Sequence, residues 1–146
     1  MVIARFFFCE EYCIIEQMDN PPLILIVDDD PDFLEIFKVK LESAGCVVQT
    51  AKDGAEGVEK TKKLHPKLVL MDVQMPKMSG IDAMIKIKED SQSADIPVLF
   101  LTALGDPRTD IQEINRRLSK EIGALGYIKK TDDLDNVVAY IKSFLQ

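Results

Sequence analysis

No apolar run in this chain approaches the roughly 18 residues that a membrane-spanning helix needs, so no contact with a membrane is expected. Cations are in short supply too: 18 Lys and Arg stand against 25 Asp and Glu, a net charge of -7. Nucleic-acid binding needs clustered Lys and Arg to neutralise phosphates, so no direct nucleic-acid partner is expected. Small cations or basic partner surfaces suit such a chain better. Cysteine is scarce, and Cys9, Cys13 and Cys46 can neither all pair within the chain nor offer a two-residue metal spacing. We therefore expect a reducing, cytoplasmic setting. The single histidine, His65, precedes Pro66, and nothing around it suggests a ligand.

What is present is enough for one domain. With 146 residues, 47% of them apolar, the chain can fill one core. The opening residues differ from the rest: Arg5-Phe6-Phe7-Phe8 and Tyr12-Cys13-Ile14-Ile15 are apolar, but Glu10 and Glu11 interrupt them. That is too polar and too short for a signal-peptide core. Met18-Asp19-Asn20-Pro21-Pro22 reads like a natural start, so residues 1–17 are expected to be an upstream extension. We place the non-core segment at residues 1–20 and the domain at 21–146.

From Leu23 onward, short apolar runs alternate with helical periods. Leu23 to Val27 is unbroken and aliphatic, as a strand covered on both faces must be. Pro31 to Ala44 then sets Leu34, Phe37 and Leu41 on one side of a helix that Gly45 stops. Cys46-Val47-Val48 reads as a second strand and Asp53 to Leu64 as a second helix, with Lys60, Lys62 and Lys63 on a solvated face. Leu68 to Met71 is a third strand, followed by a helix around Ile81, Met84, Ile85 and Ile87. Val98 to Leu101 is the fourth strand. After Pro107, a stripe of Ile111, Ile114, Leu118, Ile122 and Leu125 predicts a long helix. Tyr127-Ile128 is a short fifth strand, and the last helix should bury Leu134, Val137, Val138, Ile141 and Leu145.

Repeated strand-helix units with short connections require right-handed crossovers, hence a parallel sheet with helices on both faces. Such doubly wound α/β folds bind ligands beyond the carboxyl ends of their strands. Asp28 and Asp29 follow the first strand, Asp72 ends the third, Thr102 the fourth and Lys130 the fifth, so all fall on one rim. Three carboxylates there repel one another unless a cation neutralises them. A hard divalent ion such as Mg²⁺, which takes a few carboxylates together with water, would do so. Carboxylates can act as nucleophiles that form acyl phosphates. Lys130 could supply a point charge to phosphoryl oxygens and Thr102 a rotatable donor.

These residues also match a family. Ile24-Leu25-Ile26-Val27-Asp28-Asp29, Leu70-Met71-Asp72-Val73-Gln74-Met75-Pro76 with Gly80, Leu101-Thr102-Ala103 and Tyr127-Ile128-Lys129-Lys130 occur in order. Together they resemble the receiver domain of two-component response regulators, of the single-domain chemotaxis type. The resemblance implies a flavodoxin-like, five-stranded parallel sheet in the order 2-1-3-4-5. It implies that Asp72 accepts a phosphoryl group from the phosphohistidine of a sensor histidine kinase or phosphotransfer protein. It implies that Asp28, Asp29, Asp72 and the backbone carbonyl of Gln74 hold Mg²⁺. Thr102 and Tyr127 resemble the family's switch pair. A downstream protein is expected on the face formed by the helix after the fourth strand, the fifth strand and the last helix. Such a domain is no conventional enzyme: it catalyses its own phosphorylation and a slow autodephosphorylation. Leu104, two beyond Thr102, is expected to slow that hydrolysis because it offers water no hydrogen bond.

Two departures stand out. The family usually has proline after the lysine, where this chain has Thr131, and the segment from Leu104 to Gly126 is several residues longer than in a minimal receiver. Strand alternation sends Lys129 and Lys130 to opposite faces, and the family spacing from Tyr127 selects Lys130. Asp30 and Asp32 are expected to be a helix N-cap and a first-turn acid. Phe33 and Val39 stand where a calcium loop would need glycine and glutamate, which excludes that site. The alternative is a haloacid-dehalogenase-like, Mg²⁺-dependent phosphatase with Asp28 as nucleophile; Pro31 and Asp32 fit its motif poorly.

Overall fold

The computed structural model describes residues 20–102, 121 and 123–145. The expected extension at residues 1–17, Pro107, Leu104 and the stripe from Ile111 to Ile122 lie outside these residues.

Five parallel strands form one sheet: β1 (Leu23–Val27), β2 (Val47–Ala51), β3 (Leu68–Asp72), β4 (Val98–Thr102) and β5 (Gly126–Lys129), in the order 2-1-3-4-5. Four helices accompany it among the described residues: α1 (Pro31–Ser43), α2 (Gly54–Leu64), α3 (Gly80–Glu89) and α4 (Leu134–Leu145). Alternation along each strand divides the core into two layers. Ile24, Ile26, Leu68, Leu70, Leu99 and Leu101 face α1 and α4, while Leu25, Val27, Val69, Met71, Val98 and Phe100 face α2 and α3. The central strands are buried on both sides, which is why they read as continuous aliphatic runs.

The helix ends follow local chemistry. Asp30 caps α1 by accepting from the Asp32 N–H at 3.0 Å. Gly45, at φ 95°, closes α1 with bonds from Gly45 N–H to Glu42 and from Cys46 N–H to Leu41 carbonyls, the paired pattern of a glycine-terminated helix. Asp53 and Ser79 cap α2 and α3.

Some boundaries differ from expectation. β2 begins at Val47 and runs on through Gln49 and Thr50 to Ala51, because an edge strand with one wet face alternates instead of staying apolar. Leu125 does not close a helical stripe: it lies outside any helix, 44% exposed, and its N–H bonds to the Val98 carbonyl as the chain enters β5. Leu134 and Leu145 are half-buried against the core, not fully inside it. The lysine face of α2 is partly engaged, with Lys60 on Glu56 at 3.0 Å and Lys62 on Asp90 at 3.3 Å.

Candidate functional site

Strand order reverses between β1 and β3, and the register there sets the site. Val27 pairs with Met71, so the next residues, Asp28 and Asp72, stand side by side at the carboxyl end of the sheet. Ladder bonds beyond the strand ends hold them: Asp28 N–H donates to the Ala51 carbonyl at 3.1 Å, and Val73 N–H to the Leu101 carbonyl at 3.0 Å. Both carboxylates are buried, Asp28 at 0% and Asp72 at 3% exposure, whereas Asp29 is exposed. One oxygen from each of Asp28, Asp29 and Asp72 lies within 4.8 Å of the others.

Lys130 enters this group from β5. Its N–H donates to the Thr102 carbonyl at 2.8 Å, and its Nζ forms ion pairs with Asp28 Oδ2 and with Asp72 Oδ2, the second at 3.3 Å. No cis peptide occurs among the described residues, and Lys130 reaches both acids with Thr131 behind it. The ammonium that meets the two acids is that of Lys130, not Lys129, whose backbone N–H donates to Asp132 Oδ2 at 3.3 Å. Gln74 is exposed and touches the site through its own N–H, which donates to Asp72 Oδ1 at 3.2 Å. Thr102 is half-buried at the end of β4. Tyr127 is half-buried too, packed against the α2–α3 side of the core while also lining a surface cleft with Asn136 and Tyr140.

Gly80 shapes the turn that follows. A Cβ there would lie 2.0 Å from the Asp72 carbonyl oxygen, so no side chain fits while the Gly80 N–H bonds the Val73 carbonyl at 2.9 Å. Phe33 is the one contact the sequence did not suggest. Its ring faces the Lys130 ammonium, 4.7 Å from the centroid. Only its position four residues before Phe37, next to an acidic run, hinted at it.

Burial and the neighbouring Asp28 charge push the Asp72 carboxyl up to about 7, against the pull of Lys130 and the Gln74 N–H. Burial by itself would lower the Lys130 ammonium, but its hydrogen bond to Asp28 and the two carboxylate charges outweigh this and raise it. The sign of the linkage follows. A carboxyl raised from 3.8 to about 7 contributes stability that is fully present below about 3.8 and is lost as pH rises through 7. The melting-temperature advantage of the metal-free protein over Asp72→Asn should therefore shrink between about pH 4 and pH 8, at up to ~1.4 kcal/mol per pH unit. Melts in chelator across that window check this; a constant gap contradicts it.

The donor set suits a small hard cation. All three acids offer carboxylate oxygens, two of them from buried side chains. Mg²⁺ prefers such oxygens.

Comparison with known proteins points the same way. The family model described as "Response regulator receiver domain" matches residues 24–142. The DNA-binding dual master transcriptional regulator RpaA of Synechocystis sp. is 37% identical over 125 residues, 86% of this chain and 49% of that protein. The hybrid signal transduction histidine kinase D of Dictyostelium discoideum is 33% identical over 130 residues, 89% of this chain and 8% of its own length. This chain thus spans half or less of these curated relatives. Among solved structures, the chemotaxis protein CheY4 of Vibrio cholerae superposes with a TM-score of 0.75 at 26% identity, covering 86% of this chain and 99% of that one. The signal receiver domain of a histidine kinase from Syntrophus aciditrophicus gives 0.72 at 32% identity, over 85% and 89%. The phosphatase alternative finds no support: the family matched over residues 24–142 is that of receiver domains.

Proposed function

Because this chain belongs to the response regulator receiver domain family, we propose that Asp72 is its phosphoacceptor, supplied by the phosphohistidine of a sensor histidine kinase or a phosphotransfer protein. One observation carries this: a buried carboxylate at the sheet's switch point, with a second buried acid and a lysine ammonium in contact across it.

The chemistry follows from the residues. An Asp72 oxygen attacks phosphorus, a P–O bond forms, the P–N bond to imidazole breaks, and the electron pair stays on the imidazole nitrogen. A protonated carboxyl cannot attack, so Asp72, whose burial favours the proton, needs positive charge nearby. Lys130 supplies one such charge and afterwards pairs with the phosphoryl oxygens. Asp28, Asp29, Asp72 and the Gln74 carbonyl would hold Mg²⁺, whose charge, when bound, offsets that of the incoming phosphoryl group. Thr102 donates its hydroxyl to that group. Tyr127, with core on one side and a cleft on the other, turns inward behind it. The changed face of β5 and α4 meets the downstream protein. Residues 21–146 would form the receiver unit, with residues 1–20 outside its core.

The switch is tested by NMR. Adding acetyl phosphate with Mg²⁺ should shift the Thr102 and Tyr127 resonances together, and they should return as the donor is exhausted. Resonances that stay in place in a protein shown to be phosphorylated would remove this pair from the account.

A further inference from the structure

We propose that Phe33 is a positioning residue for phosphoryl transfer: its ring holds the Lys130 ammonium over the acidic rim independently of the charge on Asp72. The inference rests on Asp72 being the phosphoacceptor.

Phe33 sits in the first turn of α1, and Phe37 follows four residues later on the same helix face. Phe37 is almost fully buried, and the two rings stack at 5.2 Å between centroids with 22° between planes. One face of Phe33 is thus braced by the core, and its ring also carries the Lys130 ammonium 4.7 Å from the centroid. That distance is within the range where a ring quadrupole attracts a cation.

The carboxylates alone hold the lysine only while they are charged and unshared. Lys130 pairs with Asp28 and Asp72, yet the proposed reaction consumes one Asp72 oxygen and invites another cation to the same acids. Before the phosphoryl oxygens arrive, a competing cation weakens what holds the ammonium, and a lysine stem has rotamers through which to swing away into water. The Phe33 ring is neutral and changes in neither step. Its attraction therefore persists through the reaction and keeps the ammonium beside the position the phosphoryl oxygens come to occupy. Leucine fills a similar apolar volume but has no quadrupole; tyrosine retains it.

The test compares the native protein with Phe33→Leu and Phe33→Tyr. In the metal-free protein, the Lys130 Cε protons, next to an ammonium held over the ring, should resonate upfield; the shift should vanish in Phe33→Leu and remain in Phe33→Tyr. With acetyl phosphate and Mg²⁺, Phe33→Leu should take up phosphate about fivefold more slowly, equivalent to ~1 kcal/mol. Phe33→Tyr should stay within about twofold of the native rate, inside the factor expected for a retained ring. A Lys130 shift that survives in Phe33→Leu, or equal rates in all three proteins, overturns the assignment. A native protein with the upfield shift but no phosphate uptake overturns the functional reading beneath it, so the two failures are distinguishable.

Discussion

Methionine in place of Lys130 is expected to lower the melting temperature of the metal-free protein at pH 8 by roughly 10–20 °C. Methionine keeps the length of the side chain and removes its charge. Asp28 and Asp72 are both buried, and Lys130 is the cation in contact with each. Removing one partner of a buried pair leaves uncompensated charge, at a cost of about 3–5 kcal/mol. The same reasoning fixes two dependences. Acidification should narrow the difference, because Asp72, whose carboxyl stands near 7, then takes up a proton and sheds its charge. Mg²⁺ should raise the melting temperature of the variant more than that of the native protein, because the ion then replaces the only ammonium in contact with both acids among the described residues. Differential scanning fluorimetry with chelator and with Mg²⁺ reads all three. A variant as stable as the native protein in chelator would mean that the ion pairs do not neutralise the rim.

The second large effect concerns Asp72 itself. Asp72→Asn should abolish phosphate uptake from acetyl phosphate while leaving the fold intact. Asparagine is nearly isosteric and can still accept the Gln74 N–H through its carbonyl oxygen. It cannot form an acyl phosphate, and of the two neighbouring acids Asp28 is fully buried, while Asp29 is exposed and lacks the contact with Lys130 that Asp72 has. The expected result is no radiolabel from a labelled donor and a folded protein by circular dichroism. Retained label in the variant would move the acceptor elsewhere.

Much of this is legible in the sequence, for identifiable reasons. β1, β3 and β4 are covered on both faces, so Leu23–Val27, Leu68–Met71 and Val98–Leu101 had to be unbroken apolar runs, and their polar endings marked the rim. Asp28, Asp29, Asp72 and Lys130 were legible for that reason, and the structure gathers them. The apolar run marks only the start of β2, because this strand lies at the sheet edge, where Gln49 faces solvent and Thr50 only half does. Leu125 fits the helical stripe in sequence because periodicity does not register the turn at Gly123, whose φ of 89° precedes β5. The role of Phe33 is not legible because its partner, Lys130, lies far along the chain; spacing along a helix shows that Phe33 and Phe37 share a face, but not which cation the fold will set on the ring.

Everything proposed for the rim depends on which carboxylate carries the phosphoryl group. Phosphorylating the native protein with acetyl phosphate and Mg²⁺, reducing the acyl phosphate with borohydride and mapping the product by mass spectrometry decides it. Reduction at Asp72 alone is the predicted result, and reduction at Asp28 or at any other acid would contradict it.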